Sequence, residues 1–529
     1  MDGSMQPFRL TLDKFLDHGA KWHGRSEVVT GGTDGAAQRL TYSELWHRAK
    51  CVSAALWERS IRIGDRVATL AWNTSAHVEA WYGIMGMGAV CHTLNPRLSP
   101  FDIAAMLRQS QARILIVSAD LLELACSLAD DAPDLTSILV IDGYVRGSEA
   151  GSRVKIEALQ SCLADADGSS VQWGGFDETA PSGLCFTSGT TGAPKGVTYT
   201  HRSSYLHTLR LLQADVFAIG CKDSVLAVVP MFHANAWGLP FATPAVGAKL
   251  VLPGRRADGE SLARLINEEE VTLAVGVPTV WLGLLEHLEA VGGEVPSLQR
   301  ILVGGAPLPP ALMERLEKRL GVVVQTSWGM TELSPSGTVA HPDGYQRQAA
   351  FAGKPAIGVD LLLKDGHGVA LAEQRNVEGH LYVRGAAVVE RYFGQDTPAT
   401  DADGWFATGD LARIDDDGNL IITGRAKDLI KSGGEWINPA EIEAIIGALP
   451  PVSLAAVIGR SDLKWGERPL LLVELRREET VSDDELLVAL KGRIPSWWMP
   501  DRVVRLDAMP TAPTGKIDKI QLRKIYGNA

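Results

Sequence analysis

Eleven residues, Thr187-Ser188-Gly189-Thr190-Thr191-Gly192-Ala193-Pro194-Lys195-Gly196-Val197, bring four hydroxyls, three glycines and a lysine into one short stretch. The apolar Leu184-Cys185-Phe186 precedes it and Thr198-Tyr199-Thr200 follows, which predicts a strand–loop–strand unit with the glycines in an exposed turn. Backbone N–H groups in such a turn face outward and can surround an anion. The hydroxyls add donors, and Lys195 adds a charge suited to phosphate oxygens. This is not the Walker loop, because Gly196 rather than Ser or Thr follows the lysine and no long helix is signalled after it. The chemistry is that of a nucleotide-phosphate loop.

Four further groups carry chemistry only in company. Trp328-Gly329-Met330-Thr331-Glu332 offers an aromatic face for a purine, a glycine for close approach, and a hydroxyl and carboxylate for a phosphate-bound magnesium. Gly304-Gly305-Ala306 ends another strand and makes a flat wall for a base. Thr408-Gly409-Asp410 with Arg425 places a carboxylate and a guanidinium where ribose hydroxyls could be held. Pro510-Thr511-Ala512-Pro513-Thr514-Gly515-Lys516 sets one lysine in a stiffened loop. Taken singly, each has a plain structural reading: a strand end, a turn residue, a surface ion pair, a solvated lysine. In Pro230-Met231-Phe232-His233-Ala234-Asn235-Ala236-Trp237-Gly238, His233 is a candidate for the site mouth and Trp237 for a bulky gate over an apolar cavity.

The elements that must position these residues alternate. Thr41-Tyr42-Ser43-Glu44 opens a helix running to about Arg59, and β-branched runs at 65–70, 113–117 and 137–141 read as strands between helices. The pattern resumes at 225–229, 249–252, 273–277, 299–303 and 322–325, predicting α/β architecture with two sheets in the large N-terminal region. After about 350 short strands with turn signals, as at Asp416-Asp417-Gly418-Asn419, predict a β-rich subdomain. The last 100 or so residues read as a separate mixed α and β unit. The expected division is an N-terminal domain 1–424, a connection 425–428 and a C-terminal domain 429–529.

A formal net charge of −12 over 529 residues argues against general nucleic-acid binding. The segment from Arg425 onward is less acidic than the rest, with 16 basic and 15 acidic residues, and is the better candidate to receive a polyanion. Six cysteines without a Cys-x-x-Cys pair suggest neither a disulfide framework nor a zinc ribbon. No apolar run approaches the roughly 20 residues that span a bilayer, so a cytoplasmic protein without a transmembrane segment is expected.

In order and approximate spacing, the five motifs resemble those of the adenylate-forming superfamily, from about residue 40 to 525. Thr187–Val197 is similar to its phosphate loop almost residue for residue. Trp328–Glu332 resembles its aromatic-Gly-x-Thr-Glu motif, with Trp where Tyr is commoner. Thr408–Asp410, 424–430 and Pro513–Lys516 resemble its ribose aspartate, hinge and catalytic-lysine motifs. The segments 229–237, 431–437 and 464–469 look most like the fatty-acyl-CoA ligase branch. Gly424 departs from the pattern, since many relatives carry aspartate there, leaving an ion-pair lock in doubt.

The resemblance implies ATP and coenzyme A as co-substrates, Mg2+ held by Glu332 with Thr331, and an acid activated as its adenylate before transfer to a thiol. It implies that Thr187, Ser188, Gly189, Thr190, Thr191, Gly192, Lys195, Gly304, Gly305, Ala306, Trp328, Gly329, Asp410 and Arg425 bind ATP. Lys516, Thr331, Glu332 and His233 would be catalytic, and His233, Trp237 and Gly304 would line the acyl pocket. His233 stands where amino-acid-activating relatives carry aspartate, so a neutral-tailed acid is expected: a medium- or long-chain fatty acid, or alternatively an aryl, arylpropionate or thioether short-chain acid, or transfer to a carrier protein. The small C-terminal domain would be mobile, turning about Lys427 to present Lys431, Ser432, Gly433, Gly434, Trp436, Lys464 and Trp465 to coenzyme A. Homodimers are common among similar enzymes, and no interface is legible here.

Overall fold

Runs rich in Val, Ile and Leu, each returned by a helix, leave little choice but parallel pairing. In the computed structural model, which describes residues 4–32, 36–143, 145, 153–187, 194–343, 347–476, 479–512 and 516–528, they form two large sheets. One has seven strands among the described residues, in the order Lys155–Ala158, Ser137–Ile141, Ile114–Ser118, Arg66–Leu70, Val90–Thr93, Pro181–Phe186 and Gly196–Thr200. All pairings are parallel except the last, where Pro181–Phe186 meets Gly196–Thr200 antiparallel.

The other sheet has nine strands. Its parallel centre runs Val323–Gly329, Arg300–Val303, Leu273–Gly276, Ser224–Ala227, Lys249–Leu252 and Glu27–Thr30. Antiparallel strands close both edges: Ser336–Val339 and Lys354–Pro355 at one, Gln38–Thr41 at the other. The N-terminal hairpin 27–41 lies outside the sequence expectation. Gln38–Thr41 has no buried residue, and Glu27–Thr30 finds its parallel partner more than 200 residues away, so neither leaves a local signature.

A single apolar cluster spans both sheets, from Val67, Ile114 and Leu139 through Trp81, Tyr82 and Phe241 to Val225, Leu250 and Leu273. Trp81 stacks on Phe241 at 6.0 Å, and the buried Tyr82 hydroxyl donates to the Pro240 carbonyl at 2.9 Å. The helix Tyr42–Glu58 starts at a reciprocal cap, Thr41 accepting from the Glu44 N–H while the Glu44 carboxylate accepts from the Thr41 N–H. These helices fix the two sheets as one frame.

The β-rich part is an antiparallel sheet of Val359–Lys364, Glu378–Gly385, Phe406–Ile414 and Leu420–Arg425. Asp410 therefore lies within a strand rather than in a turn. After Arg425 a short helical turn, Ala426–Asp428, leads into a five-stranded mixed sheet beginning at Ile430–Ser432, packed by helices Pro439–Gly447 and Lys519–Tyr526. The expected architecture is met: two α/β sheets and a β-rich sheet in a large N-terminal part, and a small α+β part at the C-terminus.

Candidate active site

Parallel strands all point one way, so their carboxyl ends gather loops at a single edge, where open α/β sheets hold their ligands. Pro181–Phe186 ends there at Thr187, Ser224–Ala227 runs on to His233, Arg300–Val303 ends at Gly304, and Val323–Gly329 ends at Glu332. The Thr187 N–H donates to the Lys195 carbonyl at 2.9 Å, closing the base of the expected strand–loop–strand unit. Ser188, Gly189, Thr190, Thr191 and Gly192 lie outside the described residues. Lys195 is exposed, with its ammonium 4.8 Å from the centre of the Tyr392 ring.

Glu332 is buried, and Tyr392 donates its hydroxyl to Glu332 Oε1 at 2.9 Å. The preceding Thr331 is buried too, and its carbonyl accepts from the Tyr199 hydroxyl at 2.8 Å. Trp328 does more than present a ring. Its indole N–H donates to Asp410 Oδ2 at 2.9 Å, while Arg425 Nε pairs with Asp410 Oδ1 at 2.7 Å. Burial raises the Asp410 carboxyl above its ordinary value, and Arg425, Trp328 and Lys516 act against that rise. The indole thus supplies a hydrogen bond even though the commoner tyrosine hydroxyl is absent.

Gly424 explains its own departure from the family pattern. A Cβ there would stand 2.7 Å from Asn438 Oδ1, and Asn438 donates across to the Thr423 carbonyl at 2.7 Å. Asn438 occupies the space an aspartate at 424 would need, and Arg425 is paired with Asp410 instead.

Lys516 arrives from the C-terminal part and stands among these groups. Burial lowers its pKa to about 8, and Arg425 and Lys427 press the same way while Asp410 and Glu332 oppose. His233 is lowered to about 4, by burial first and by Lys516 second, so its imidazole is neutral at pH 7. A Cβ on Gly304 would be 2.8 Å from the Trp237 ring edge, so glycine there permits the indole to close over the strand end. Gly305, at φ +80°, lies between Trp237, Val277 and the Lys516 stem.

Trp237 rides on an uncommon backbone. Ala234, Asn235, Ala236, Trp237 and Gly238 all have positive φ, from +45° to +80°, making a turn wound left-handedly. Each L-residue so placed costs about 1–2 kcal/mol. The turn is held by burial of all five residues and by Asn235, whose Oδ1 lies 3.5 Å from Cys185 Sγ. Beside His233 a cavity of about 10 Å3 remains, lined by Thr93, Asn95, Leu98, Met106, Phe186 and Phe232.

Known proteins match this chain over nearly its whole length. The AMP-binding enzyme profile matches residues 15–393, and the AMP-binding enzyme C-terminal domain matches 441–516. The chain belongs to the AMP-binding enzyme family. It is 39% identical to a 3-methylmercaptopropionyl-CoA ligase of Ruegeria lacuscaerulensis, covering 100% of this chain and 99% of the relative. It is 38% identical to a medium-chain-fatty-acid–CoA ligase of Ectopseudomonas oleovorans, covering 100% and 98%. The crystal structure of ATP-bound MatB from Rhodopseudomonas palustris superposes with a TM-score of 0.85 at 25% identity, covering 98% of this chain and 99% of that one. This AMP-binding enzyme is an ATP-dependent acid–thiol ligase that forms AMP, with coenzyme A as co-substrate. No helix among the described residues is long and apolar enough to cross a membrane.

In this AMP-binding enzyme the residues expected at coenzyme A come together on one face of the C-terminal part. Lys431, Ser432, Gly433, Gly434 and Trp436 form the hairpin of Ile430–Ser432 with Glu435–Ile437, and Lys464 and Trp465 form the neighbouring turn. The Gly433 N–H donates to the Trp465 carbonyl at 2.8 Å, joining the two. Trp436 and Trp465 are about half exposed, each under a lysine ammonium, Lys431 at 5.3 Å and Lys464 at 4.6 Å.

Sequence reasoning missed Tyr392, Asn438 and Arg97. Arg97 is exposed, its guanidinium 6.0 Å from the Trp72 ring and 5.8 Å from the ring of Phe232, which borders the His233 cavity. Each becomes meaningful only through a partner far along the chain, so no local pattern signals it. The residues fit a nucleotide-borne magnesium. The described residues hold no cluster of three or more metal-ligating side chains, and a single carboxylate such as Glu332 would suit an ion carried mostly by phosphate oxygens.

Proposed function

We propose that this enzyme activates a carboxylic acid with an uncharged, hydrophobic tail, a medium- or long-chain fatty acid, and transfers the acyl group to coenzyme A. Lys516 carries the reading: a cation from the C-terminal part converges on Asp410, Arg425, Glu332 and His233, where an acid and the α-phosphate would meet. His233, Trp237 and Val277 border the acyl side and bring no charge there at neutral pH, which suits an apolar tail.

In the first half-reaction a carboxylate oxygen attacks the α-phosphorus of ATP, the bond to the bridging oxygen breaks, and pyrophosphate leaves. Thr187 and Lys195 stand at the base of the loop that would cradle the β- and γ-phosphates. Glu332, with Thr331, would hold magnesium, which when bound offsets phosphate charge. Lys516 would bridge the carboxylate and α-phosphate oxygens, placing a fixed cation where negative charge builds in the transition state. Asp410 would accept from the ribose hydroxyls, kept in place by Arg425 and the Trp328 indole.

In the second half-reaction the C-terminal domain, 429–529, would turn about Lys427 within the connection 425–428. That motion withdraws Lys516 and brings the Lys431–Trp436 hairpin and Lys464–Trp465 to the acyl-adenylate. The thiol loses its proton to solvent, the thiolate sulfur attacks the acyl carbon, the carbon–oxygen bond to AMP breaks, and AMP departs. Two half-exposed tryptophans capped by lysines suit a ligand with both a purine and phosphates. Six free thiols suit the cytoplasm as the working compartment, and a homodimer, common among similar enzymes, is the assembly expected.

A second reading has one observation in its favour. With Trp237 closed on Gly304, a short thioether acid needs less rearrangement than a long chain, and one relative is a 3-methylmercaptopropionyl-CoA ligase. Pyrophosphate release, with and without coenzyme A, over a panel of 3-methylmercaptopropionate, C6 to C16 fatty acids and cinnamate separates the two. Highest kcat/KM on a C8 or longer acid supports the first reading, and a maximum on the thioether acid supports the second. CoA-independent consumption without thioester formation refutes both.

A further inference from the structure

One side chain touches two motifs at the phosphate end of the site and belongs to neither. Tyr392 donates its hydroxyl to Glu332 Oε1 at 2.9 Å, and its ring lies under the Lys195 ammonium at 4.8 Å. The segment carrying it is tied to both motifs through the backbone as well. The Val389 N–H donates to the Glu332 carbonyl at 2.8 Å and the Phe393 N–H to the Gly196 carbonyl at 2.7 Å. Ser334 Oγ adds a bond to the Ala387 carbonyl at 3.0 Å.

The segment is also anchored to its own sheet, because Val389 packs in one apolar cluster with Leu381, Val383 and Phe406. Tyr392 is therefore a fixed point between two loops rather than a passenger on either. Among the described residues its hydroxyl is the side-chain hydrogen bond made to the buried Glu332 carboxylate.

We propose that Tyr392 is a positioning residue for the metal–nucleotide: its hydroxyl fixes one oxygen of Glu332 so that the other faces the site, and its ring holds the Lys195 ammonium beside the phosphate position before ATP arrives. The inference rests on the assignment of Glu332 and Lys195 to magnesium and phosphates made above. A carboxylate free to rotate would have to be ordered by the ion itself, so the hydroxyl acts on metal affinity. The ring acts on the lysine, and so on the nucleotide with or without metal.

Tyr392→Phe keeps the ring and deletes the hydroxyl, and Tyr392→Leu deletes both. Equilibrium binding of ATP to the full-length enzyme, by calorimetry in excess EDTA and then across a MgCl2 titration, reads the two roles apart. Tyr392→Phe is expected to bind metal-free ATP as the wild type does and to need about tenfold to a hundredfold more Mg2+, the usual cost of losing a partner that orients a metal ligand. Tyr392→Leu is expected to weaken metal-free ATP as well. In a Glu332→Gln background, Tyr392→Phe is expected to change the Mg2+ titration no further. Should Tyr392→Leu fail to fold, Tyr392→Phe with the Glu332→Gln background carries the test alone. A Tyr392→Phe enzyme that titrates with Mg2+ like the wild type overturns the inference alone. A wild-type enzyme whose ATP affinity ignores Mg2+ overturns the underlying assignment, and the inference with it.

Discussion

At the scale of single residues the candidate site is a close balance of buried charges. Lys516, Arg425 and Lys427 lie together with Asp410, Glu332 and Asp428, and burial first, then Arg425 and Lys427, depress Lys516 to about 8. An amine is charged below its pKa, so the cation predominates at pH 7 and is lost as pH rises through about 8. For the free enzyme, kcat/KM of the adenylation half-reaction is expected to fall above that point. Lys516→Arg removes the fall, because guanidinium does not titrate there. Lys516→Ala is expected to lower adenylation about 100- to 1000-fold, as when one preorganised donor is lost, and to spare thioester formation from supplied acyl-AMP. Pyrophosphate exchange and thioester assays measure the two steps separately, and equal losses in both would remove Lys516 from its role.

At the scale of elements, small contacts set what each strand end can carry. Gly424 lies between Arg425, which holds Asp410, and Asn438, which caps the helix Pro439–Gly447. Gly424→Ala would bring a Cβ to within 2.7 Å of Asn438 Oδ1 and is expected to destabilise the fold by about 1–3 kcal/mol in denaturant titration. An unchanged midpoint would mean that Asn438 turns away freely. Much at this scale was legible beforehand. The runs 249–252 and 137–141 are strands with the expected bounds, since apolar runs between turn signals leave few other states. Thr41 with Glu44 announced its helix through a cap that needs only four residues. The site was legible where a motif is contiguous, as around Lys195 and Glu332. It was illegible where function depends on pairing across the chain: Trp328 with Asp410 is separated by 82 residues, and Tyr392 with Glu332 by 60. The left-handed turn at 234–238 was hidden too, because its Ala-Asn-Ala-Trp composition carries no glycine until the last position.

At the scale of the whole molecule, one small part carries both Lys516 and the hairpin at 430–437, and the connection between parts is short. Arg425 is anchored to Asp410 on one side, and Asp428 pairs with Arg523 of the last helix at 2.8 Å on the other. Between these two ion pairs stand Ala426 and Lys427, where a rotation would concentrate. Lys427→Pro fixes one of the few free torsions. It is expected to leave pyrophosphate exchange near its original rate and to cut thioester formation at least about tenfold, on the scale of one lost conformational step. Normal overall turnover would rule the pivot out. A different consequence follows from the turn that bears Trp237. Five successive residues coiled against the preferred hand admit few substitutes, chiefly glycine, asparagine or other compact side chains. Descendants of this protein that change their preferred acid are thus poorly placed to do so by rewriting 234–236; diversification falls to the surrounding walls, while this stretch is inherited almost unedited.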